Sequence, residues 1–170
     1  MELELQSPLI LVPNSFNVLI GPEEMLVDSL NYNMKEIQRL QVLYVSGNYS
    51  RILDKIDRRF TELDVRRAFT VYQLLTILKE AYQTLIILEH DPSLFEDASE
   101  MAEYIGHALK ESSNNSAVLL YSPWTDRPLE EISKFADRVF VFNEVQKYVY
   151  KRASKKTTPG PRGQRTLEAF

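Results

Sequence analysis

The chain has 170 residues, 44 % hydrophobic and 26 % charged, with eight prolines and five glycines. That is the composition and length of one globular domain with one core, and it excludes a collagen-like, low-complexity or wholly disordered chain. It holds no cysteine, which excludes disulfides, thiolate metal sites and cysteine catalysis. No apolar run approaches the ~20 residues of a membrane helix. The opening stretch MELELQSPLILVPN lacks a basic region and carries Glu2 and Glu4, so no secretory signal is expected and a cytoplasmic location is.

The net charge of −4 hides an asymmetry. From Gln146 onward, seven basic residues face the single acid Glu168, leaving the rest of the chain strongly acidic. A basic tail on an acidic body makes the tail the part that meets a polyanion or an acidic partner.

The elements then follow in order. Residues 17–20 (NVLI) form a short apolar run stopped by Gly21-Pro22. Helical spacing of Met25, Leu26, Leu30, Met34 and Ile37 predicts a helix over 23–39. Residues 42–45 (VLYV) read as a second strand, ended by Gly47, and 53–60 as a short helix. Thr70-x-x-Gln73 is a capping-box pattern opening a helix over 70–82. Residues 84–88 (TLIIL) are a continuous apolar run, the signature of a central parallel strand buried on both faces. Ser93-x-x-Glu96 is a second capping-box pattern, predicting a helix to about Lys110. After a polar loop at 112–116 come a strand at 117–121 (AVLLY) and a helix from near Pro128 to about Ala136. Residues 138–142 (RVFVF) and 147–152 (KYVYKR) alternate and predict a hairpin. Strands alternating with helices predict an α/β fold: a mainly parallel sheet with helices on both faces, closed by a C-terminal β-hairpin and a flexible tail. The domain spans 1–152, a basic Pro/Gly linker 153–163 and a terminal peptide 164–170. If flexible, the linker reaches ~17 Å root-mean-square.

This order of elements resembles the RecA/RadA superfamily core, including its archaeal RadB and KaiC-like branches, over about 17–152. Three segments carry the resemblance. NVLIGPEEMLVDSL (17–30) stands where that family has its phosphate loop. TLIILEHD (84–91) stands where it has its Walker B strand. PLEEISKFADRVFVFNEVQKYVYKR (128–152) is similar to its closing helix, strand and hairpin. The resemblance implies a P-loop-type topology. A phosphate loop, however, needs Gly-x4-Gly-Lys-Ser/Thr. Counted from Gly21, its last three places hold Leu26, Val27 and Asp28, and Glu23 and Glu24 lie within the loop. Two like charges ~4 Å apart repel by ~4 kcal/mol at an effective dielectric of 20, so ATP binding here is expected to be lost and no cofactor is expected. Glu89 and Asp91 remain as Walker-B-like acids, where the resembled family organises magnesium or the attacking water. Without the loop lysine and hydroxyl they are expected to be solvated loop carboxylates, and Glu89→Gln is expected to leave folding unchanged.

Other enzyme chemistries find little support. Two histidines, His90 and His107, without cysteine make a poor zinc site, and no GxSxG elbow occurs. His107 is expected to be structural or solvent-facing, and Trp124 to pack. Tyr148 and Tyr150 alternate with Lys147, Lys151 and Arg152, which suits either a stacking platform for single strands or an edge strand protected by charge.

The last seven residues, Gln164-Arg-Thr-Leu167-Glu-Ala-Phe170, resemble the PCNA-interacting peptide, or PIP box, with the pattern Gln-x-x-aliphatic-x-x-aromatic-aromatic. The resemblance implies one 3₁₀ turn whose apolar residues plug a pocket on the sliding clamp. With three residues per turn, Leu167 and Phe170 fall on one side, and Gln164 offers both a donor and an acceptor. Gln164 is then the polar anchor, Leu167 the aliphatic plug and Phe170 the aromatic plug. The second aromatic of the pattern is absent. Lys147, Lys151, Arg152, Lys155, Lys156, Arg162 and Arg165 are candidates for contact with DNA or with the clamp.

The reading is thus a non-catalytic, clamp-binding adaptor or regulator in archaeal DNA replication, repair or recombination, associated with the nucleoid, whose body engages a further repair or recombination protein. Its rivals are a RecA-type ATPase or DNA-processing enzyme with a degenerate site at Glu89 and Asp91, and a direct DNA-binding protein.

Overall fold

The computed structural model describes residues 2–6, 9–142 and 165–166. Its centre is a sheet in the order β5-β4-β6-β7-β3-β8-β9. The strands are β3 (Ser15–Ile20), β4 (Val42–Ser46), β5 (Leu63–Arg67), β6 (Leu85–Glu89), β7 (Ala117–Ser122), β8 (Arg138–Val141) and β9 (Arg165–Thr166). All pair in parallel except β9, which runs antiparallel to β8. This is the expected α/β class, mainly parallel and of RecA-like, P-loop-type order. β7 lies between β3 and β6, so the strand bearing Glu89 is not the neighbour of the strand that leads into Gly21.

Two cores sandwich the sheet. Helices α3 (Val71–Glu80), α4 (Met101–Ser112) and α5 (Arg127–Ser133) cover one face. They pack on Phe16, Val18, Leu43, Val45, Ile86, Leu88, Val118 and Leu120. Helices α1 (Glu23–Tyr32) and α2 (Met34–Ile37) and the hairpin β1 (Leu3–Gln6)–β2 (Leu9–Leu11) cover the other. They pack on Leu19, Tyr44, Ile87, Leu119 and Tyr121. Alternate residues of one strand feed opposite cores, so every residue of β3, β4, β6 and β7 is buried, and β4, β6 and β7 read as apolar runs up to their last residue.

Several boundaries differ from the sequence expectation, each for a local reason. The helix over 23–39 breaks at Asn33, whose side-chain amide donates to Leu5 O and Ser29 O, both at 2.9 Å, and so ties the helix end to the first hairpin. Residues 53–60 hold a single 3₁₀ turn, Leu53–Lys55, with Ile52, Ile56 and Phe60 buried as anchors on the sheet. Ser93 does not cap a long helix. Asp91 caps a 3₁₀ turn at Pro92–Phe95 instead, accepting from Ser93 N–H at 2.9 Å, and α4 begins only at Met101. Thr70 caps α3 as expected, accepting from Gln73 N–H at 3.2 Å, while Gln73 reaches back to Phe69 N–H at 2.8 Å. Asp126 caps α5, with Pro128 in its first turn.

The expected hairpin partner at 147–152 and the linker 153–163 lie outside the described residues. On the side of β8 away from β3, the partner among the described residues is Arg165–Thr166, so at those two positions the tail is a paired strand and not the free segment expected. The β8 backbone would otherwise present an open edge.

Candidate functional site

The carboxyl ends of β3, β4, β6 and β7 meet where a nucleotide fold of this order binds its ligand. The connection from β3 to α1 is Gly21-Pro22 alone. It is too short for backbone N–H groups to wrap a phosphate, and Pro22 has no N–H to give. Gly21 is not in the left-handed region, and a Cβ there would sit tightly, 3.2 Å from the Phe142 Cβ. Its N–H donates to Ser122 O at 3.1 Å, and its carbonyl accepts from the Tyr121 hydroxyl at 3.0 Å. Glu23 and Glu24 occupy the first turn of α1, and Glu23 is paired with Lys55. The positive end of the helix thus carries its own anions.

Tyr121 stands opposite Glu89 in the β6–β7 register. Its buried ring separates Glu89 from the β3–α1 junction. Burial, with the charges of Glu23 and Glu89, drives the Tyr121 hydroxyl well above its ordinary value, so it stays protonated and donates to Gly21 O.

Glu89 and Asp91 are not solvated, contrary to the expectation. They are 3 % and 9 % exposed, and both are fully engaged. Glu89 Oε2 accepts from the Tyr44 and Ser50 hydroxyls, each at 2.7 Å, and Oε1 from Arg51 N–H at 2.5 Å. Burial and then the Glu89 charge push the Tyr44 hydroxyl far up, fixing it too as a donor. Asp91 Oδ2 accepts from Asn48 N–H at 2.7 Å, and Oδ1 accepts from the Ser93 hydroxyl at 2.7 Å. The physical reason is the 47–56 segment. It crosses the sheet end to bury Ile52 and Ile56, and its exposed backbone donors need acceptors. The two acids supply them.

His90 points to the other face. Its Nε2 lies 2.7 Å from Asp126 Oδ2, and its ring stacks on Phe95 at 5.9 Å. Asp126 also caps α5 through Leu129 N–H at 2.8 Å. Burial favours the neutral Asp126 carboxyl, but the hydrogen bond and charge of His90 and the Leu129 N–H outweigh it and hold the carboxyl below its ordinary range. Trp124, 43 % exposed, receives the Arg51 guanidinium 4.6 Å from its ring centroid, a cation–π contact. His107 lies on the outer face of α4 beside Glu103 at 3.8 Å, as expected.

The structure therefore brings Glu89 and Asp91 together. Gln164, Leu167, Phe170, Lys147, Lys151, Arg152, Lys155, Lys156 and Arg162 lie outside the described residues, and Arg165 is described only as part of β9. Sequence reasoning missed Tyr44, Ser50, Arg51 and Asp126. Their partners lie dozens of positions away, so no local spacing marks them. Among the described residues no cluster of three or more His, Asp or Glu is arranged to hold a metal ion. Nor is any helix there long and apolar enough to cross a membrane.

No family model matches the chain. A protein of Archaeoglobus fulgidus, itself described only as uncharacterized, is 34 % identical over 167 residues, covering 94 % of this chain and 84 % of that one. At that identity and coverage, the chain belongs to the same family as this archaeal protein.

Proposed function

We propose that this protein is a non-catalytic adaptor or regulator that docks on the archaeal PCNA sliding clamp and serves DNA replication, repair or recombination at the nucleoid. The observation that carries the reading is the spacing of Gln164, Leu167 and Phe170, which resembles the clamp-binding peptide in its polar anchor and two apolar plugs. The basic residues before and among them, from Lys147 to Arg165, complement an acidic clamp surface or the DNA threaded through it. The body is read as a RecA-like domain without a working nucleotide site, which presents a further repair or recombination protein to the clamp.

The body geometry supports the non-catalytic part. The phosphate position holds a Gly21-Pro22 turn followed by two acids. Glu89 is buried and accepts from Tyr44, Ser50 and Arg51 through both carboxylate oxygens, which supports a structural role for it. The archaeal relative accords with an archaeal clamp partner. The test is calorimetric titration of the full chain, and of a chain ending at Gly163, into an archaeal PCNA ring, with ATP titrated in parallel. Clamp binding by the first alone, with no heat from ATP, is expected. Equal binding by both chains removes the tail as the docking element, and ATP binding removes the non-catalytic reading.

A further inference from the structure

β8 is the last parallel strand of the sheet, and its outer edge is occupied by residues of the same tail stretch. Phe140 pairs with Thr166 and Val141 with Arg165, antiparallel. The Phe142 N–H donates inward to Ile20 O at 2.7 Å. Successive residues of a strand turn their peptide groups to opposite sides, so the N–H and carbonyl of Val141 face outward, towards Arg165. Arg165 and Thr166 are the two residues between the anchor Gln164 and the plug Leu167.

We infer that the β8 edge and the sliding clamp compete for this stretch of tail: Arg165 and Thr166, paired to β8, must leave the sheet for the docking peptide to engage the ring. The inference rests on the clamp-peptide reading above. The clamp-bound form implied by the resemblance is a 3₁₀ turn, whose backbone dihedrals differ from those of the extended, paired Arg165 and Thr166, so the two states exclude each other. A strand paired to β8 has its backbone ~4.8 Å from that of the body, which leaves no room for a second protein on that side. The pairing is only two residues long, and so short a ribbon is marginal by itself. The latch therefore opens readily. It lowers the apparent clamp affinity by the fraction of chains with a free tail, about threefold to tenfold for one or two backbone hydrogen bonds.

The test uses two measurements. Amide exchange at Val141 is read in the full chain, in a chain ending at Gly163, and in the full chain with PCNA added. Clamp affinity is measured for the full chain and for a synthetic peptide of residues 158–170, each with and without Arg165→Pro, which removes the tail N–H nearest Val141. The expected result is slower Val141 exchange in the full chain than in the shortened one, with PCNA restoring the faster rate. Arg165→Pro should also improve the affinity of the full chain about threefold to tenfold relative to its effect in the peptide. Equal Val141 exchange in the two chains overturns the proposal, as does an equal effect of Arg165→Pro on chain and peptide. If the peptide does not bind PCNA while Val141 remains protected, the sheathed tail stands. The clamp reading then falls, and the competition falls with it.

Discussion

Asp91 occupies the space that a side chain at residue 47 would need. A Cβ on Gly47 would stand 2.3 Å from Asp91 Oδ2 and 2.5 Å from its Cβ. The backbone after β4 thus runs directly against the acid, close enough for Asn48 N–H to reach it. Gly47→Ala should push Asp91 off its partners and cost about 1–3 kcal/mol, the usual penalty of overpacking a filled site. Chemical denaturation measures it, and an unchanged midpoint would mean that Asp91 yields at no cost.

Glu89→Gln should destabilise the fold, reversing what the sequence suggested. The amide keeps one acceptor for three donors and turns an N–H towards Tyr44 and Ser50 or towards Arg51 N–H. Leaving a buried donor unmet costs about 1–3 kcal/mol, which for a domain of this size lowers the melting point by several degrees. Clamp affinity, measured by calorimetry on the same variant, should not change.

The Asp126–His90 pair predicts a particular pH dependence. The folded carboxyl lies below its ordinary range, while the unfolded one titrates near pH ~3.9. A depressed acid stabilises the fold above the unfolded value, and that contribution is lost as pH falls through the folded one. Asp126→Asn retains a helix-capping side chain and removes the charge. The advantage of the wild type over Asp126→Asn should therefore be present above the unfolded value and shrink as pH falls below about 4. Urea melts of both proteins across this range decide it, and a margin that widens on acidification would reverse the sign assigned to the pair.

Phe170→Ala should weaken PCNA binding by ~2 kcal/mol or more, as expected when a buried aromatic anchor is truncated. The melting point of the body should be unaffected. Calorimetry and thermal melting together separate the two effects, and unchanged affinity would remove Phe170 from the docking peptide.

How far the sequence shows the fold depends on where each element lies. TLIIL and AVLLY declare themselves because both faces of β6 and β7 are buried. β5 passes unnoticed because Asp64, Val65, Arg66 and Arg67 are all exposed at the sheet edge, so no apolar alternation marks it. The first hairpin carries a signal that was available, Leu3 and Leu5 alternating with Glu2 and Glu4. The break at Asn33 depends on a carbonyl of β1, which helical periodicity does not register. The same holds at the site. The missing phosphate loop is visible from Gly21 to Asp28 by counting. The employment of Glu89 is not, because Tyr44, Ser50 and Arg51 reach it only through the fold.

The margins of the sheet are defended by different means. At the β8 margin the tail supplies a partner strand. At the β5 margin charge stands guard: Arg66, tied to Glu80 at 3.2 Å, and Arg67 beside it, next to the exposed Phe69 and Tyr72. A bare strand edge flanked by aromatics invites growth by addition of further chains, and charged side chains along it are the common deterrent. Neutralising Arg66 and Arg67 together should therefore promote self-association from the β5 side, read by light scattering against protein concentration.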